Sequence, residues 1–90
     1  EIRGAHGVEE VDLNDILYIK SDGAYIEIKT SGKNYLQRKL LKEIELELPM
    51  NFVRTHRSYI VNKDYIDQRS AVELKIGEEV IPISRNYKNF

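Results

Sequence analysis

Arg54, His56, Arg57 and Ser58 fall within five consecutive positions, flanked by the apolar pieces Phe52-Val53 and Tyr59-Ile60-Val61. A guanidinium can offer a two-pronged fork to guanine or pair with a phosphate oxygen, and a serine hydroxyl can donate to phosphate. Arg57 suits the first task, Arg54 the second and Ser58 the third. A solvated turn whose arginines only keep the surface wet has the same composition, so composition alone does not choose between them. His56 and Ser58 would share one face of a strand, but no GxSxG elbow surrounds Ser58, and closeness in sequence is not the geometry of a nucleophile and its base. His56 is better suited to packing in a turn, with its ring nitrogens satisfying backbone groups. His6 and His56 are the only imidazoles, cysteine is absent, and no HExxH or calcium-loop spacing occurs, so no metal centre and no cofactor are expected.

The elements that must position these side chains are short. The 90 residues leave room for one domain, spanning positions 1–90, with no linker, repeat or low-complexity tract inside it. With 41% hydrophobic and 32% charged residues, the chain has the balance of a folded protein. No run approaches the ~20 apolar residues of a membrane span, and the N-terminus lacks the layout of a secretory signal. Together with the absence of cysteine, this sets the expectation of a soluble, cytoplasmic protein without a membrane partner. The formal net charge of -1 is unevenly spread. Acids alone occupy Glu9 to Asp15, whereas Phe52 to Lys63 carries Arg54, Arg57 and Lys63 without an acid, and Val80 to Phe90 carries Arg85 and Lys88 without one.

Glu1 to Arg3 and Val8 to Leu13 are candidate short strands around a Gly-bounded turn. Ile16 to Lys20 is a nearly continuous apolar run, closed by the turn-forming Ser21, Asp22 and Gly23. From Tyr25, Ile26, Ile28 and Thr30 alternate with Glu27 and Lys29, the period of a half-buried strand, and Ser31-Gly32 turns the chain into Lys33 to Gln37. Leu40, Leu41, Ile44 and Leu48 recur at helical spacing before Pro49, which predicts one amphipathic helix over about 39–48. Thr55 to Ser58 is expected to break the following strands and project its side chains outward. Val72, Leu74 and Ile76 alternate with Glu73 and Lys75, Gly77 turns the chain, and Val80 to Ile83 returns as a hairpin partner. Pro82 places that strand at an edge, because it has no N–H for a ladder. Ser84 to Phe90 is predicted to form a last helical turn. The sum is a mainly β fold of small antiparallel sheets packed face to face, braced by one helix.

The order of these pieces resembles the LytTR family of bacterial DNA-binding domains. The resemblance rests on Asn14-Asp15-Ile16-Leu17-Tyr18-Ile19, on Phe52-Val53-Arg54-Thr55-His56-Arg57-Ser58-Tyr59-Ile60-Val61-Asn62, and on Ile81-Pro82-Ile83-Ser84-Arg85-Asn86-Tyr87. It covers nearly the whole chain and implies an elongated, mainly β domain whose loops enter successive major grooves along a bent duplex. By the same resemblance Arg57 and Arg85 are the base-reading residues, and Arg54, Ser58 and Lys88 contact the DNA backbone. Lys20, Ala24, Tyr25 and Asn86 are additional members of the DNA loops. Family members often carry Asn or His where this chain has Ala24, beside Asp22, which weakens base reading by that loop. The implied partners are double-stranded DNA with repeated half-sites, bound by two copies, and an N-terminal receiver domain of a two-component response regulator.

Two other classes compete with a transcription regulator's DNA-binding domain. An interaction module pairing through exposed strand edges would show no salt-dependent DNA binding. A small hydrolase built on His56 would need a pocket and a perturbed histidine, neither of which the sequence suggests.

Overall fold

The computed structural model describes residues 2–3 and 10–87, with the backbone alone at residues 2, 3 and 10. Among them β1 (Ile2–Arg3) pairs antiparallel with β2 (Glu10–Val11). A five-stranded antiparallel sheet follows, built from β3 (Ile16–Asp22), β4 (Tyr25–Thr30), β5 (Asn34–Gln37), β6 (Phe52–His56) and β7 (Tyr59–Asn62). Its spatial order is β5-β4-β3-β7-β6. The helix α1 (Leu41–Glu45) crosses between β5 and β6. Beyond a 3₁₀ turn at Lys63–Tyr65, a second sheet is ordered β10-β9-β8, from β8 (Gln68–Arg69), β9 (Glu73–Ile76) and β10 (Glu79–Pro82). A 3₁₀ turn at Arg85–Tyr87 closes the described chain. The molecule is elongated, 38 × 23 × 22 Å.

Strand β3 sits at the centre of the larger sheet and is apolar on both faces, so both faces must be covered. On one side Ile16, Ile19, Ile26, Ile28, Phe52 and Ile60 form a core with Leu41 and Ile44 of α1. On the other, Tyr18 and Val61 pack against Leu74, Ile76, Ile81 and Ile83 of the smaller sheet and its exit. The result is three layers: helix, five-stranded sheet, three-stranded sheet. Ile16 and Tyr18, two apart, reach opposite cores because the ladder shifts by one residue between them, leaving Leu17 as the extra residue of a bulge. At the same place the Asn62 side chain extends the pairing. Its amide donates to the Ile16 carbonyl at 3.0 Å, and its oxygen accepts from the Asn51 amide at 3.1 Å and the Asp64 N–H at 3.0 Å. The side chain is buried, with both its amide nitrogen and its oxygen hydrogen-bonded.

Several expectations are corrected. The helix spans Leu41–Glu45 rather than 39–48. Leu40 is an extended N-cap, half exposed, whose N–H donates to Glu43 Oε1 at 2.9 Å. After Glu45 the bonds from Leu46 N–H to the Glu43 carbonyl and from Leu48 N–H to the Glu45 carbonyl tighten the chain into turns before Pro49. Val72 is exposed where alternation with Leu74 places it inside, because it precedes β9. Tyr65-Ile66, a short apolar piece of the sequence, begins in a 3₁₀ turn, where the Tyr65 hydroxyl donates to the Asn14 carbonyl at 2.6 Å. Thr55 does not project outward but is fully buried. It is the extra residue of a second bulge, between the pairs Arg54↔Ile60 and His56↔Tyr59, which turns its side chain in. Pro82 does stand on the edge strand β10.

Two predictions follow from this packing. The buried Thr55 hydroxyl has no hydrogen-bond partner, so Thr55→Val is expected to raise the unfolding free energy by about 1 kcal/mol in urea titration. A lower midpoint would show that the hydroxyl is satisfied. Burial first, then the charges of Glu79, Tyr59 and Glu27, push the Tyr18 hydroxyl up to about 12. Folding favours its neutral form, so its contribution is complete below the unfolded value of 10.0 and is lost as pH rises to about 12. Tyr18→Phe should flatten the loss of thermal stability across that window, and identical slopes in both proteins would refute the assignment.

Candidate nucleic-acid interface

The antiparallel topology delivers the ends of β3, β5 and β6 to the same end of the five-stranded sheet. Pairing of Asp22 with Tyr25, Ile26 with Gln37, Lys20 with Tyr59 and His56 with Tyr59 fixes this. Along that end stand, in order, Arg38 just beyond β5, the Gly23-Ala24 turn between β3 and β4, and the Arg57-Ser58 turn between β6 and β7. Gly23 takes φ 63°, the left-handed conformation that lets so short a turn close. The two turns are tied by a bond from the Ser21 N–H to the Ser58 carbonyl at 2.9 Å.

Arg57 is exposed at the tip of its turn. Within the turn the Ser58 N–H donates to His56 Nδ1 at 3.1 Å, and the His56 ring meets the Tyr59 ring edge-on at 5.9 Å. The histidine is therefore a structural element of the turn, with the nitrogen that faces Ser58 occupied by a backbone amide. Ser58 is half-buried.

Arg85 reaches the same end from the smaller sheet. The bulge at Thr55 frees that residue's carbonyl from the ladder, and it accepts the Ser84 N–H at 2.7 Å. Ile83 N–H donates to the Val72 carbonyl at 2.8 Å, and Tyr87 N–H closes the last turn on the Ser84 carbonyl at 2.9 Å. Arg85 and Asn86 are exposed on that turn. The two basic islands of the sequence thus meet at one place, through two backbone groups.

Arg54 is placed differently from Arg57 and Arg85. Its side chain is only 15% exposed, its Nη1 pairs with Glu45 Oε1 at 3.2 Å, and its other donors turn inward to the carbonyls of the loop. Lys20 and Tyr25 are exposed at the same end, with the Lys20 ammonium 6.0 Å from the Tyr59 ring centroid. Ala24 lines a shallow depression of about 260 Å³ with Arg38, Lys39, Leu40 and Glu43. Lys88, like His6, lies outside the described residues. Arg38 was not singled out in the sequence, where one arginine after a strand carries no signal. Its place at the end of β5, across from the Gly23-Ala24 turn, is what brings it into the row. Among the described residues no group of three or more His, Cys, Asp or Glu is placed to hold a metal ion, and no helix is long and apolar enough to cross a membrane.

Residues 6–89 match the family described as LytTr DNA-binding domain. The chain is similar to the sensory transduction protein LytT of Bacillus subtilis (strain 168), 36% identical over 85 residues, which cover 86% of this chain and 35% of that protein. The LytT proteins of Bacillus cereus and Bacillus anthracis are each 31% identical over 84 residues, covering 86% of this chain and 34% of theirs. The chain thus spans about a third of the length of these relatives. In structure it is similar to a solved LytTr DNA-binding domain from Bacillus cereus, with a TM-score of 0.77 and 25% identity, covering 86% of this chain and 77% of that one.

The role of His56 is testable without any ligand. Asparagine can place an acceptor where Nδ1 stands, so His56→Asn should keep the Ser58 amide protected from hydrogen exchange. His56→Ala should lose about 1 kcal/mol of that protection, roughly fivefold faster exchange. Equal exchange in both variants would remove the histidine from the architecture of the turn.

Proposed function

The chain belongs to the LytTr DNA-binding domain family, and on that premise we propose that it binds duplex DNA sequence-specifically through the turns at one end of its five-stranded sheet. The observation that carries this reading is the convergence of Arg57 and Arg85, both exposed, on turns joined by the Thr55 carbonyl and the Ser84 N–H at 2.7 Å. Each arginine can grip the O6 and N7 of a guanine, a contact that supplies about 1–3 kcal/mol of discrimination. Ser58 and Lys88 hold phosphate, which sets affinity and register and adds no sequence information. Lys20, Tyr25, Asn86 and the backbone at Ala24 lie along the flanking sugar-phosphate chain, and Arg38 adds a cation at the far end.

Four strand spacings of ~4.8 Å make this row roughly 19 Å wide, more than one major groove of ~12 Å. The Arg57 and Arg85 turns therefore enter the groove while the rest of the row lies over the adjoining backbone, and bending of the duplex brings successive grooves within reach. The net charge of -1 is no obstacle, because a duplex meets this end of the molecule and not Asp12 and Asp15, which precede β3 at its other end. So small an interface binds weakly alone. Two copies on repeated half-sites gain roughly 10² to 10⁴ in avidity without a new contact. In the full-length protein the domain is the cytoplasmic output part of a bacterial transcription regulator, joined to an N-terminal receiver domain, and carries out no catalysis itself.

Selection from a randomised duplex pool, followed by salt titration of the recovered site, tests this. Native protein should recover a repeated motif, and Arg57→Ala and Arg85→Ala should relax it at different positions, each with roughly a 10- to 100-fold loss of discrimination. No enrichment and no salt dependence would remove DNA binding and favour the interaction module.

A further inference from the structure

The Arg54 guanidinium uses three of its five N–H groups within the protein. Nε donates to the His56 carbonyl at 3.2 Å and Nη2 to the Arg57 carbonyl at 2.9 Å, both in the turn that presents Arg57. Nη1 donates to Glu45 at the end of α1 at 3.2 Å. Its central carbon lies 5.3 Å from the centroid of the Tyr87 ring, in the turn that presents Arg85. One planar group thus touches the backbone of one arginine-bearing turn, a side chain of the other, and the helix behind them. Its charge is already met by Glu45.

Of the carbonyls it takes, that of His56 belongs to the last pair of the ladder and that of Arg57 lies in the two-residue turn beyond it. The bulge at Thr55 and the two-residue turn interrupt strand pairing where Arg57 must be aimed, and unpaired carbonyls of a short turn leave its backbone free to pivot. We propose that Arg54 is a positioning residue, which locks the Arg57 and Arg85 turns into one rigid unit, and not a ligand of DNA phosphate. This revises the role that the family resemblance suggests for it, and it rests on the proposal that these turns read DNA. Lysine cannot replace it. An ammonium is a point charge without the planar fork that reaches separate carbonyls while stacking on a ring.

The test compares Arg54→Lys, Arg54→Gln and Tyr87→Leu in the 90-residue chain. Affinity for the selected duplex is measured against salt, and amide exchange is measured in the free protein. Arg54→Lys and Arg54→Gln should each lose about tenfold in affinity, the equivalent of one charge-assisted hydrogen bond, with the salt slope unchanged. In the free protein, both should exchange faster at the Arg57 turn and at Arg85 to Tyr87. Tyr87→Leu, altered in one turn only, should speed exchange in the other, and it carries the test if the Arg54 variants do not fold. A native-like Arg54→Lys beside an Arg54→Gln whose slope falls by about 0.9 would identify a phosphate contact and overturn the proposal. If native protein selects no duplex, the DNA reading fails on its own. Unchanged exchange at both turns would then overturn the brace independently.

Discussion

A strand that is apolar on both faces must be covered twice, and β3 imposes that requirement on everything else. Its burial at Ile16, Tyr18 and Ile19 calls for α1 on one side and the three-stranded sheet on the other. With both faces of the larger sheet taken, the strand ends are what remain for function. Antiparallel order then gathers alternate connections at one end, and the short Gly23-Ala24 and Arg57-Ser58 connections both fall there. The candidate interface is thus made of connections that closing the core leaves at one end of the sheet.

The two bulges serve that arrangement in different ways. The one at Leu17 sends side chains of a single strand into separate cores, and the Asn62 amide covers the irregularity by bonding the Ile16 carbonyl. The one at Thr55 leaves a buried hydroxyl without a partner, a local cost of about 1–3 kcal/mol. The same distortion releases a carbonyl to hold the Ser84 amide. A stretch that is unfavourable for the fold is where the two arginine turns are joined.

Charge is handled by position rather than by sum. Arg54 is largely withdrawn from solvent and matched by Glu45, while Arg57 and Arg85 stay exposed. Two arginines three positions apart therefore have different surroundings. One faces inward on the helix side of an edge strand, and the other stands at a turn tip.

The sequence by itself determined the class of the fold, the existence of the strand that begins at Ile16 and the two basic islands. Period-two alternation in Tyr25 to Thr30 and in Glu73 to Ile76, the apolar run Ile16 to Ile19 and the edge position of Pro82 are local signals, written by burial and by a missing N–H. The motifs around Arg57 and Arg85 also gave the family. What only the tertiary structure decided depends on pairings between distant residues. Leu40 leaves the helical stripe because the chain is still extended there, and Thr55 turns inward because β6 carries one residue more than β7 opposes. Arg54 turns away from solvent because Glu45, the Arg57 turn and Tyr87 arrive around it from three elements. Arg38 joins the row because β5 ends beside the Gly23-Ala24 turn. A residue's type and its immediate neighbours carry no record of which distant group will stand beside it, so these four placements had to wait for the fold.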